Sequence, residues 1–171
     1  MSKILIVVDM QNDFVYGSLG SEAAQAIVPK VVEKVKNWDG GVLFTQDTHF
    51  EDYPETLEGE KLPIEHCIKD TEGWEIIDEL RQYITNSYQV ILKHTFGYEG
   101  WDALFLSKDD EIEIVGLCTD ICVVSNALAL RMFYPNAKIT VDASCCAGTS
   151  VEAHNAALQV MKSCQIDIVG E

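Results

Sequence analysis

The sequence predicts a three-layer α/β/α fold around an open, mostly parallel sheet of about six strands with a Rossmann-like topology. Three observations carry this. Short apolar runs alternate with helical patterns along the whole chain. The first run, residues 3–8 (Lys-Ile-Leu-Ile-Val-Val), has no polar alternation, as expected of a strand buried on both faces. Chemistry-bearing residues fall just beyond the runs, where sites lie in such sheets: Asp9, Asp47, Lys93, Cys118 to Cys122 and Asp142. No repeat, linker or low-complexity tract divides residues 1–171, so one domain with a sizeable core is expected.

Taken in order, residues 3–8 lead to Asp9, then to Met10-Gln11-Asn12-Asp13-Phe14 and a Gly/Ser-rich loop through Ser21. Ala23, Ala26, Ile27, Val31, Val35 and Trp38 have helical spacing. Pro29 suits a first helical turn, so the helix is expected to begin there and to stop at Asp39-Gly40-Gly41. Residues 42–45 form a second strand and deliver Gln46-Asp47-Thr48-His49. Residues 50–73 are polar, with Pro54, Gly59, Pro63 and Gly73; a loop this long in a compact domain is functional or disordered. Residues 74–83 read as a helix, and 90–92 as a strand that delivers Lys93. A loop and short helix over 97–107 precede a fourth strand at 111–116 and a helix at 120–132. Residues 138–141 form a fifth strand ending at Asp142, Ser150 caps a helix over 150–162, and 166–169 form the last strand.

Composition narrows the function classes. Hydrophobic residues make up 47% of the chain, a globular value. A formal net charge of −16 argues against nucleic acid and anionic membranes as partners, since both are polyanions. No apolar run approaches the roughly 18–20 residues that span a bilayer. The start of the chain runs straight into a strand and does not resemble a signal peptide. The six cysteines lack Cys-x-x-Cys pairs. Free thiols in a cytoplasmic protein are therefore expected, with a small molecule as partner.

The chemistry concentrates in residues 114–126, Ile-Val-Gly-Leu-Cys-Thr-Asp-Ile-Cys-Val-Val-Ser-Asn. An apolar run broken by Gly116 hands over to a helix, with Cys122 in its first turn. The positive end of a helix dipole lowers a thiol's pKa, so Cys122 is expected to be a reactive thiolate, alkylated by iodoacetamide faster than Cys145, Cys146 or Cys164. A nucleophilic thiol needs a group to take its proton and return it to the leaving group, and Asp9 qualifies. Lys93 would hold that carboxylate and favour the thiolate. Backbone N–H groups around 118–122 would hold an oxyanion. Singly, each has a plainer reading: Asp9 as a turn cap, Lys93 as a solvated cation, Cys122 as an inert core thiol. Asp120 reads as a helix cap.

Asp-x-Gln-Asn-Asp-Phe (Asp9 to Phe14) and Gly-x-x-Thr-Asp-x-Cys-Val (Gly116, Thr119, Asp120, Cys122, Val123), in this order, resemble the isochorismatase-like cysteine hydrolases. That superfamily includes nicotinamidases, N-carbamoylsarcosine amidases and ureidoacrylate amidases. The resemblance covers residues 4–169. It implies a catalytic triad of Asp9, Lys93 and Cys122. It also implies a non-proline cis peptide at Leu117–Cys118, and an oxyanion hole from the N–H groups of Cys118 and Cys122. Cys118 departs from the alanine common in the family. A homo-oligomer, dimer or tetramer, is implied as well.

The resemblance also bears on the long loop. Nicotinamidases carry Asp-x-His, then His or Glu, then His, and Asp47, His49 and His66 match. Glu55 has the better spacing for the remaining ligand, and Glu58 competes. Two histidines and carboxylates suit zinc, iron or manganese, with no organic cofactor. The alternative is that Asp47 and His49 rim a metal-free pocket and bind substrate, as in several amidases of the superfamily. Phe14 and Trp74, with Phe96 and Tyr98, are candidates for an aromatic pocket wall. His94 and His154 have no partners nearby in sequence. The expected reaction is hydrolysis of a small amide through a cysteine thioester, with nicotinamide to nicotinate and ammonia favoured. Alternatives are an amidase for carbamoyl or ureido compounds, an isochorismatase-type hydrolase, against which Cys122 argues, and a non-catalytic oligomeric binding protein. A dinucleotide site is excluded by the lack of Gly-x-Gly-x-x-Gly after the first strand.

Overall fold

The computed structural model describes residues 2–104, 107 and 109–171. The chain alternates β1 (Lys3–Val8), α1 (Asn12–Val15), α2 (Glu22–Asn37), β2 (Gly41–Asp47), α3 (Leu57–Lys61), α4 (Asp78–Arg81), β3 (Val90–Lys93), β4 (Glu111–Leu117), α5 (Val124–Phe133), β5 (Lys138–Ala147), α6 (Val151–Ser163) and β6 (Asp167–Val169). The six strands form one sheet in the order β3-β2-β1-β4-β5-β6, every neighbouring pair parallel. The chain starts in the middle and winds outward to each edge in turn. The crevice where the order reverses lies beyond the ends of β1 and β4, the position at which open α/β sheets bind ligands.

β1 illustrates why the sheet has two covered faces. Leu5 to Val8 are all fully buried. Successive side chains point to opposite faces, so Leu5 and Val7 join the core under α2 and α4. Ile6 and Val8 join the core under α5 and α6. Both sides need apolar residues, which is why the strand reads as a continuous run rather than an alternating one.

Four elements differ from the sequence expectation. α2 begins at Glu22, capped by Ser21, whose hydroxyl accepts from the Ala24 N–H at 3.0 Å, and Pro29 lies inside it. An interior proline loses one helical hydrogen bond; burial of Ala24, Ile27, Val28, Val31 and Val35 on one stripe offsets that loss. Of the helix expected over 74–83, only Asp78–Arg81 is helical, because residues 74–77 make loop contacts to residues 10–12 instead. β5 continues through Asp142 to Ala147, so Asp142 sits mid-strand, paired with Lys34 Nζ at 2.5 Å rather than facing the site. Within the 97–107 segment a 3₁₀ turn covers Trp101–Leu104, and Phe105 and Leu106 lie outside the described residues. All six cysteines are free. No described helix is long and apolar enough to cross a membrane.

Candidate active site

The turn after β4 is built around Gly116 and a cis peptide between Leu117 and Cys118. Gly116 adopts φ +117°, and a Cβ there would meet the Val8 carbonyl oxygen at 2.1 Å, so only glycine lets β4 lie this close to the end of β1. Residues Thr119–Val123 are π-wound, with the Val123 N–H donating to the Cys118 carbonyl at 3.0 Å, before α5 continues as a regular helix. Such turns recur at functional sites because they re-aim one side chain. Here that side chain is Cys122, which is 5% exposed.

Asp9 and Lys93 converge on it. Asp9 ends β1 with φ 49°, a left-handed conformation uncommon for a non-glycine residue. Its Oδ1 accepts from the Thr45 hydroxyl at 2.6 Å, which fixes the carboxylate's orientation. Its Oδ2 faces Lys93 Nζ at 2.7 Å as a charge contact rather than an aligned hydrogen bond. Lys93, fully buried at the end of β3, reaches Asp47 Oδ1 at 3.0 Å, the Thr95 carbonyl at 3.1 Å and Cys122 Sγ at 3.5 Å. The structure thus brings Asp9, Lys93 and Cys122 into one buried cluster.

The electrostatics differ from a simple thiolate. Burial, with Asp9 adding to it, pushes the Cys122 thiol well above its ordinary value, against the opposing pull of Lys93. Burial also raises Asp9, with Lys93 pulling it back down. For Lys93 burial disfavours the charge, but Asp9, Cys122 and Asp47 together outweigh it and keep the ammonium charged. Burial thus shifts Cys122 and Asp9 both upward, and the Lys93 ammonium opposes both shifts. The partial charge at the start of a helix is small beside a full carboxylate in a dry pocket. This direction runs opposite to the expectation of a thiol lowered by the helix dipole. All the groups for proton transfer are nevertheless in place.

Asp47 connects this cluster to a second one. While Oδ1 bonds Lys93, Oδ2 lies 3.1 Å from His49 Nε2 and 3.9 Å from His66 Nε2. Glu58 Oε1 lies 3.6 Å from His49 Nε2 and 3.7 Å from His66 Nε2. One donor atom from each of these four residues falls within 4.8 Å of the others. An ion bound tetrahedrally at 2.0–2.2 Å needs donors roughly 3.4 Å apart, so the set fits a divalent cation. His66 Nδ1–H donates to the Ile64 carbonyl at 2.8 Å, which leaves its Nε2 lone pair aimed at the cluster. Tyr53 packs edge-on against both histidine rings.

Several expected residues fall elsewhere. Glu55 is exposed; a 3₁₀ turn at Tyr53–Glu55 carries it outward, and the Thr56 cap of α3 turns Glu58 inward instead. Trp74 does not wall the cavity. Its Nε1 donates to Thr48 Oγ1 at 2.9 Å and its carbonyl accepts from Gln11 and Gln46, so it props the loop from behind. His49 is not on the wall either; it stands among Asp47, Glu58 and Tyr53. Tyr98 packs on Trp101. Asp120 accepts from the Thr149 N–H and hydroxyl at 2.8 and 2.6 Å, tying the start of α6 to the nucleophile turn rather than capping its own helix. A cavity of about 800 Å³ opens over Cys122, Cys118, Asp47 and His66; Phe14, Phe96, Ile121, Leu57 and Leu62 give it apolar walls.

Two buried amides escaped the sequence reading. Gln11 accepts the Asp47 N–H at 2.8 Å and donates to the Asp47 carbonyl at 2.9 Å, locking the backbone of the shared carboxylate. Asn126 donates to the Cys122 and Phe96 carbonyls at 2.7 and 3.1 Å and accepts from the Tyr98 N–H and Trp101 Nε1, each at 2.9 Å. Its position four residues after Cys122 on one helical face was the available signal.

A parallel doubly wound sheet with a buried thiol, carboxylate and ammonium at its switch point is a site for nucleophilic catalysis. The chain belongs to the isochorismatase family: residues 3–170 match the isochorismatase domain. It is 28% identical to a nicotinamidase of Schizosaccharomyces pombe, over 98% of this chain and 92% of that protein. Its fold superposes on the pyrazinamidase/nicotinamidase of Streptococcus mutans with a TM-score of 0.82 at 28% identity, covering 98% of this chain and 100% of that one. The pyrazinamidase of Pyrococcus horikoshii, solved in complex with zinc, gives a TM-score of 0.81 at 25% identity with both chains fully covered.

Proposed function

We propose that the protein is a cysteine amidohydrolase that converts nicotinamide, or a close aromatic carboxamide, to the carboxylate and ammonia. The observation that carries this is Lys93 Nζ within 2.7 Å of Asp9 Oδ2 and 3.5 Å of Cys122 Sγ, with Cys122 at the wall of an apolar cavity. The similarity to nicotinamidases supports the substrate. Asp9 takes the Cys122 proton as sulfur attacks the amide carbonyl. The oxyanion of the tetrahedral intermediate is held by the N–H groups of Cys118 and Cys122. The C–N bond breaks as Asp9 returns the proton to nitrogen, and ammonia leaves a Cys122 thioester. Asp9 then deprotonates a water that attacks the thioester, and the thiol regains its proton as the acid departs.

Asp47, His49, Glu58 and His66 would hold a divalent metal, zinc, iron or manganese. Such an ion supplies a Lewis-acidic anchor for a substrate heteroatom. The chain is expected to act as a homo-oligomer in the cytoplasm on a small molecule, with neither nucleic acid nor membrane as partner. The test is ammonia release from nicotinamide with and without a chelator, using Cys122→Ala as control. Turnover that survives in Cys122→Ala, or none in the wild type on any small amide, would overturn the proposal.

A further inference from the structure

His94 directly follows Lys93 but takes no part in the triad or in the ligand cluster. Its Nδ1 lies 3.1 Å from the Thr48 carbonyl oxygen. A carbonyl only accepts, so Nδ1 carries the proton and Nε2 of the neutral ring is an acceptor. The ring has one further contact, with a partner that is itself exposed. It stacks on Phe50 with centroids 5.6 Å apart at 28°. The backbone just before it is tied by the Thr48 N–H donating to the Lys93 carbonyl at 2.9 Å, and the Thr48 hydroxyl accepts from Trp74 Nε1. This imidazole, exposed to solvent on one side and anchored through Nδ1, lines the cavity among walls that are mostly apolar. A cavity of about 800 Å³ lies in the upper part of the range that receives drug-sized ligands, well above what a single ring with a carboxamide fills.

We propose that His94 is a specificity-determining residue whose Nε2 accepts a hydrogen bond from an N–H or O–H donor on the body of the substrate. The preferred substrate class is then an aromatic carboxamide carrying a donor substituent, rather than the unsubstituted ring. This rests on the amidohydrolase reading above. Ligand pockets gain selectivity from a few fixed polar groups in apolar surroundings, and a pre-oriented acceptor discriminates donors at little entropic loss.

The test is steady-state ammonia release from nicotinamide and its 2-, 5- and 6-amino derivatives by the wild type and three variants. At least one amino isomer should have a KM about tenfold below that of nicotinamide, the size of one net hydrogen bond. His94→Ala should erase that difference. His94→Asn keeps a donor near the Thr48 carbonyl but cannot reach the cavity, and should erase it too. His94→Gln restores an acceptor at the Nε2 position and should bring the difference back. Comparing differences between substrates cancels the amino group's effect on ring electronics. The assignment is overturned by equal KM values across the wild-type panel, by a preference that survives in His94→Ala, or by rescue with Asn instead of Gln. No ammonia from any of the four amides would instead overturn the amidohydrolase reading itself, and this inference with it.

Discussion

Replacing Lys93 with methionine isolates the electrostatics of the site from its chemistry. Methionine keeps the apolar stem and removes the charge. Asp9 and Asp47, 0% and 3% exposed, would then face each other without the cation that stands 2.7 and 3.0 Å from them. Breaking a buried ion pair by deleting one partner costs about 3–5 kcal/mol, because the remaining charge stays desolvated. For a domain of this size each kcal/mol lowers Tm by about 2–4 °C, so a fall of roughly 6–20 °C is expected. The deficit has a pH signature. Asp9 is already raised by burial, and Asp47 is held below its ordinary value by His49 and Lys93 against the effect of burial. Without Lys93 both move upward. A carboxyl whose folded pKa is raised penalises the fold above that pKa and is relieved as pH falls through it. The variant's deficit should therefore be largest near pH 8 and shrink toward pH 5. Urea and thermal unfolding in the presence of a chelator, so that no metal holds Asp47, measure it. Adding Asp9→Asn to the variant should recover part of the loss. A deficit below about 1 kcal/mol, or one equal at pH 8 and pH 5, would refute the account.

Three other outcomes are expected. Glu58→Gln should lower divalent-metal affinity by more than the 10–100-fold lost with an outer-shell partner, while Glu55→Gln should leave metal content by mass spectrometry unchanged. Iodoacetamide labelling of Cys122 in the resting enzyme should keep rising with pH above 8, since burial and Asp9 hold the thiol neutral; a plateau near pH 7 would contradict this. Asn126→Ala strands the Trp101 and Tyr98 N–H groups and the Cys122 carbonyl. It should lower stability by about 3 kcal/mol and reduce kcat, as unfolding curves and ammonia release will report.

The features legible in the sequence were those encoded locally. The unbroken run before Asp9 announced a strand with two covered faces, and the motif at Gly116 to Val123 announced the turn. Lys93 was found because it directly follows an apolar run. What escaped depends on contacts made across the fold. Glu55 and Glu58 differ by three residues in a loop, and the Thr56 hydroxyl on the Gly59 N–H decides which one turns inward. Trp74 looked like a pocket aromatic, yet the Thr48 hydroxyl and two glutamines hold it behind the loop. The upward shift of the Cys122 thiol could not be read from its place on a helix, because burial and Asp9, brought in from β1, set its direction.

Asn126 has an implication for altering what the cavity accepts. One side-chain amide grips both the carbonyl of Phe96, a wall residue, and the carbonyl of Cys122, the attacking residue. Reshaping the 96–101 loop for a bulkier ligand would tug on the same amide that seats the sulfur, so breadth of substrate and reactivity would shift together. Residues that reach the cavity from α3 and its C-terminal cap, Leu57 and Leu62, are not wired to the nucleophile in this way. Directed evolution of scope has more freedom from that side.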